Sequence, residues 1–111
     1  METPKLRHIV MLKFKDGVDR ASASAAIDAE LAKLPAAIPQ IISYVFGVDA
    51  QLDPERNHDY AVVADFADVA GYEVYAKHPA HIEAIQKAIR PVIAPGGRAA
   101  AQFMLPPVAA L

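Results

Sequence analysis

The chain has 111 residues, 54% of them hydrophobic and 22% charged, the size and balance of one globular domain with a real core. Its net charge of −2, with lysines and arginines scattered, gives no electrostatic case for nucleic acid or an anionic membrane as a partner. The absence of cysteine rules out disulfides, thiolate catalysis and cysteine-ligated metal, and fits a reducing cytoplasm.

No apolar run reaches the length of a membrane span, and Met1–Lys5 is not expected to begin a signal peptide. Leu6 to Phe14 alternates as a strand. His8, Val10, Leu12 and Phe14 share one face; Arg7, Ile9, Met11 and Lys13 share the other. Lys15-Asp16-Gly17 is a turn signal. Asp19 is placed to cap a helix from about Ala21 to Leu34, with Ser24, Ile27, Leu31 and Leu34 on its apolar stripe. Pro35 is expected to close it. A second strand is expected from Ile41 to Val48; both its faces are largely apolar, so both are expected to be covered. Asp49 to Asp59 reads as an exposed loop, and Tyr60 to Phe66 as the third strand.

Asp68 is placed to cap a short helix through Tyr75. His78-Pro79 opens another, with the proline at the first helical position and Ile82, Ile85, Ile89 and Val92 as its apolar stripe. Pro91 kinks or ends it, and Gly96-Gly97 is expected to break the chain. The last strand covers about Arg98 to Leu105. Pro106-Pro107 ends it, and a loose tail to Leu111 is expected. The order strand, helix, strand, strand, helix, strand predicts an α+β, ferredoxin-like βαββαβ fold with a four-stranded antiparallel sheet. The whole of 1–111 reads as a single domain with its core over 6–105. Helices cover one face of such a sheet. The other face would carry Ile9, Met11, Ile41, Val45 and Val63, an apolar patch that predicts a face-to-face homodimer.

The densest chemistry lies in Tyr75-Ala76-Lys77-His78-Pro79-Ala80-His81, which holds two of the four histidines and one of the four tyrosines. His81 stands one turn before Ile85 and so faces inward, either as a general base or as a core histidine bonded to a backbone carbonyl. Tyr75 can overlook the same space, as a hydroxyl donor to a developing enolate or as a tyrosine with its ring in the core. His78 precedes a proline and reads as a junction residue that can cap the helix. His8 lines a pocket or packs in the core. No metal site is expected from His78-x-x-His81, which straddles a helix start without a matched carboxylate. Gly96-Gly97 lacks the following lysine and hydroxyl of a phosphate loop. No serine sits in a nucleophile elbow. Glu73 and Glu83 read as solvated helix charges.

Three stretches carry a family likeness: His8-Ile9-Val10-Met11-Leu12-Lys13-Phe14-Lys15, Asp65-Phe66, and Tyr75-x-x-His78-Pro79-x-His81. Together they resemble the stress-responsive A/B barrel (Dabb) proteins of the dimeric α+β barrel superfamily, over about Leu6 to Leu105. The resemblance implies a ferredoxin-like unit whose homodimer forms a barrel. One branch, the plant olivetolic acid cyclases, closes a linear polyketide by aldol condensation without a cofactor. The likeness to it implies His81 and Tyr75 as a catalytic pair and matches His8 to a first-strand histidine. Tyr60 stands where that branch has a further histidine, so a different pocket wall is implied. The expectation is a cytoplasmic small-molecule-binding protein, with its pocket between helices and sheet and His8, Tyr44, Tyr60 and His78 beside the pair. The alternative is a cofactor-free, cyclase-like lyase with His81 as base and Tyr75 as carbonyl anchor. A cofactor-independent oxygenase ranks third. Partners expected are a second copy and a small apolar ligand; no cofactor, metal, nucleic acid or membrane is expected.

Overall fold

The period-two pattern at the start of the chain forms β1 (Leu6–Phe14) in the computed structural model, which describes residues 3–106. Leu6, His8, Leu12 and Phe14 are buried on one face of this strand. Asp19 then caps α1 (Arg20–Leu31), its side chain accepting from the Ser22 backbone N–H and satisfying one of the open amides of the first turn. Ala23, Ser24, Ile27 and Leu31 face the core, and the buried Ser24 hydroxyl donates to the Arg20 carbonyl at 2.6 Å. The helix stops at Leu31, before the expected Leu34. Pro35 does not close it. It stands in the first turn of a separate short helix, α2 (Leu34–Ala37), where a missing N–H leaves no bond unmade.

The remaining elements are β2 (Ser43–Val48), β3 (Tyr60–Phe66), α3 (Val69–Lys77), α4 (Pro79–Ala84) and β4 (Ile93–Met104). The sheet order is β2-β3-β1-β4 with every neighbouring pair antiparallel, the ferredoxin-like arrangement. Between helices and sheet lies a core built on Leu12, Ile27, Leu34, Ile38, Tyr60 and Phe66. Ile41 belongs against this core rather than on the open face, because β2 begins only at Ser43 and the alternation does not extend back to it. The open face carries Ile9 and Val63 flanked by Met11 (40% exposed), Val45 (63%) and Phe103 (44%), so the chain alone does not cover both faces of β2. On the same face Arg7 and Asp65 stand directly opposite each other. The guanidinium donates to both carboxylate oxygens at 2.8 and 2.9 Å.

Two irregularities shape the cavity side. After α4 the backbone widens into a π-helical turn (Ile85–Ile89), in which the Arg90 N–H bonds the Ile85 carbonyl at 2.9 Å. Pro91 follows, and its ring would collide with the carbonyl four residues back in a continued α-helix. The buried side of this segment is Ala84 and Ala88 with half-buried His81 and Ile85; Ile82, one residue or about 100° off that side, is 42% exposed rather than part of the stripe.

The second irregularity is in β4. Gly96-Gly97 does not break the chain but forms a bulge inside the strand: Ile93 pairs with Phe14 and Arg98 with Leu12, so four residues oppose Lys13 alone. Gly96 has φ 67°, and a Cβ on Gly97 would meet the Lys13 carbonyl oxygen at 2.7 Å. Beyond the bulge, Arg98 and Gln102 face the helices. The expected loose tail over 107–111 lies outside the described residues. Among the described residues no helix is long and apolar enough to cross a membrane.

Candidate functional site

A cavity of about 370 Å³ opens between the helices and the sheet. His8, Tyr44, Tyr75 and His81 all line it; Tyr60 and His78 do not. The Tyr60 ring is in the core and its hydroxyl donates to Asp28 on α1, which turns it away from the cavity. His78 spends its Nδ1 accepting from the Ala80 N–H at 3.0 Å, as the cap of α4. His58 stands in the loop before β3, beside Met11 and Arg56 in a surface hollow on the other side of the sheet.

Tyr75 is 3% exposed, and its ring is fixed on two sides. Phe66 lies 5.2 Å away between centroids and His81 only 4.1 Å away, tilted by 34°. The Tyr75 hydroxyl is 2.9 Å from that of Tyr44. Burial pushes both phenols up, Tyr75 to about 12 and Tyr44 further. The hydrogen bond with Tyr44 and the charge of Arg98 both work against this rise at Tyr75. Either hydroxyl can donate across this contact; with Tyr44 as donor, the Tyr75 proton is free to point into the cavity.

His81 reaches the cavity from the first turns of α4. Its Nδ1 is 3.3 Å from the Ala76 carbonyl oxygen, so Nδ1–H donates and Nε2 keeps its lone pair. Every buried side-chain nitrogen and oxygen among the described residues has a partner, so the unpartnered Nε2 lies in accessible space. Burial lowers the pKa of His81; the Ala76 bond opposes this, while Arg98 and His78 add to it. The ring is therefore a neutral base at neutral pH.

His8 is 2% exposed and accepts at Nδ1 from the Gln102 amide at 2.7 Å. An accepting Nδ1 requires the neutral ring. Burial, then Arg98 and His81, lower its pKa to about 4. The unfolded ring binds its proton near pH 6.5, so between there and about pH 4 the unfolded state holds the extra proton. Stability contributed by His8 is thus complete above pH 6.5 and is lost as pH falls toward 4. The expected loss is about 3 kcal/mol. Urea unfolding of wild type and His8→Leu across this range checks it: wild type should lose about 3 kcal/mol relative to the variant, which lacks this titration, as pH falls from 6.5 to 4. Parallel curves would remove the assignment.

The cavity also takes residues that the spacing argument passed over. Tyr72 packs on His8 at 5.0 Å between centroids, and it is three residues before Tyr75 on the same helix face, a spacing that points to it. Arg90 and Arg98 reach the cavity only through the π turn and the bulge, which no periodicity announces. Among the described residues no three histidine, aspartate or glutamate side chains converge as metal ligands would.

The family model described as the Stress responsive A/B Barrel Domain matches residues 6–104. Among solved structures, a dimeric ferredoxin-like protein of unknown function from Thermobifida fusca is similar over 95% of this chain and 94% of its own, at 37% identity and a TM-score of 0.81. A hydroxynitrile lyase from Passiflora edulis is similar over 97% of this chain and 100% of its own, at 19% identity and a TM-score of 0.74. A Dabb protein with a ferredoxin-like fold from Mesorhizobium loti is similar over 94% and 98%, at 18% identity and a TM-score of 0.71. At those last two identities the likeness is one of fold. No curated protein matches the sequence.

Proposed function

This chain belongs to the stress-responsive A/B barrel domain family, and from that premise we propose that it is a cytoplasmic homodimer that binds a small, largely apolar carbonyl compound between its helices and sheet and moves a proton on it. The observation that carries this is the state of His81: Nδ1 is held by the Ala76 carbonyl, and Nε2 is left with a lone pair beside the cavity. Nε2 takes a proton from the carbon next to the carbonyl. The C–H electron pair becomes the carbon–carbon double bond, the carbonyl π pair moves onto oxygen, and the Tyr75 hydroxyl donates to the enolate that forms. Tyr44 donates in turn to Tyr75, so charge drawn onto the Tyr75 oxygen is shared along the pair. A cyclase or lyase would follow from what the enolate meets next. The solved Passiflora edulis protein of similar fold is a hydroxynitrile lyase, so a fold of this kind can host a lyase. The dimer would form through the open sheet face, as the dimeric description of the Thermobifida fusca protein also favours.

A second reading has its own observation. His78 and the Nδ1 of His81 both serve the junction of α3 and α4, as cap and as bond to Ala76. On that reading the cavity carries a ligand without reaction. Exchange of the carbon-bound proton of ethyl benzoylacetate in heavy water, followed by proton NMR, separates the two. Faster exchange with protein than in buffer supports proton transfer. Binding that shifts the His81 ring resonances without faster exchange supports the carrier. Neither effect would sink the cavity reading altogether.

A further inference from the structure

The chain has five arginines. Three are neutralised: Arg7 by Asp65 at 2.8 Å, Arg20 by Asp59 at 2.9 Å and Arg56 by Asp53 at 3.0 Å. Arg90 and Arg98 have no ion-pair partner among the described residues, and both line the cavity. No aspartate or glutamate lines it with them. Both are exposed, so they stand at the mouth, while Val10, Leu31 and Ile89 make apolar wall. Each arginine arrives by a departure from regular backbone. In a continuous α-helix Arg90 would point about 140° away from Ile85. The i to i+5 closure brings it back over Ile85, which lines the same cavity. Arg98 follows directly on the glycine bulge of β4.

We propose that Arg90 and Arg98 form an anion subsite at the cavity mouth, and that the ligand is a small carboxylate with an apolar body. This rests on the cavity being a ligand site, as proposed above. A carboxylate presents two oxygens to a guanidinium fork, and the pairing strengthens as the body enters and excludes water. A cavity of about 370 Å³ takes a small molecule and not a polymer. Arg98 lines the same cavity as Tyr75 and His81, so a keto acid would place its carboxylate at the mouth and its carbonyl deeper, toward the Tyr75 hydroxyl.

The test is calorimetric titration of the full chain with phenylacetate and with its neutral counterpart phenylacetamide. Wild type should prefer the carboxylate by about tenfold or more, and added salt should narrow that preference. Arg98→Gln and Arg90→Gln should each narrow it too, with the affinity for the amide and the melting temperature held. Equal affinity for the two probes in wild type would overturn the subsite and leave the cavity standing. No binding of either would overturn the cavity reading and the subsite with it. A fall to single-chain mass in Arg98→Gln would assign that arginine to an interface and also overturn the proposal.

Discussion

Replacing His81 by Asn should slow the exchange of the carbon-bound proton by about a hundredfold to ten-thousandfold, the usual contribution of a positioned general base. Asparagine is chosen because its amide N–H can still donate to the Ala76 carbonyl, as Nδ1 of the imidazole does, so the junction of α3 and α4 stays closed. What it removes is Nε2. Ligand binding, read by titration with the same probe, should be little changed. A rate that stays at the wild-type level would take the base away from His81. The pH profile offers an independent reading. Only the neutral ring accepts a proton, so the rate should fall with acid, and its midpoint should lie below that of a free imidazole because burial and Arg98 both disfavour the cation. Arg98→Gln should move that midpoint upward. A purely structural histidine would affect stability and leave no such midpoint in a rate.

The sheet and its helix layer were legible because their signals are local. The alternation of β1, the caps Asp19 and Asp68, and the proline after His78 all stand where the sequence places them. The inward face of β1 followed from period two, and with it the position of His8. His81 and Tyr75 were legible as a pair because helical spacing and the junction bring them together. The failures around the cavity mouth share a cause. The bulge at Gly96-Gly97 and the π turn after α4 both change register, and a pattern of fixed period cannot anticipate a change of period. Arg90, Arg98 and Gln102 depend on those two shifts, so they were missed. Tyr60 was assigned to the pocket by likeness to a histidine position. Its hydroxyl is instead satisfied by Asp28, a long-range pairing that sequence separation conceals. Ile41 was misplaced for a smaller reason: its strand begins two residues later.

Ile9→Glu should convert the protein from two chains to one. Ile9 is at the middle of the open face, with Val63 on one side in β3 and Ala101 on the other in β4. In a two-fold dimer closed through that face, every substitution enters twice. Each glutamate would be buried without a partner, at about 3–5 kcal/mol apiece. Together they should weaken association by roughly ten-thousandfold or more. Light scattering at micromolar concentration reads the mass directly. Leu52→Glu, at a site 90% exposed in the Asp49–Asp59 loop, serves as the control and should keep the two-chain mass. A wild-type mass of one chain, or a variant that stays paired, would end the open-face interface. The same strand ties the interface to the cavity. Ile9 faces outward between His8 and Val10, which both line the cavity on the opposite side. If pairing holds β1 in place, the single-chain variant should show a lower melting temperature and a faster exchange of the β1 amides. It should still bind the aryl probe, since no residue of the cavity lies on the outer face.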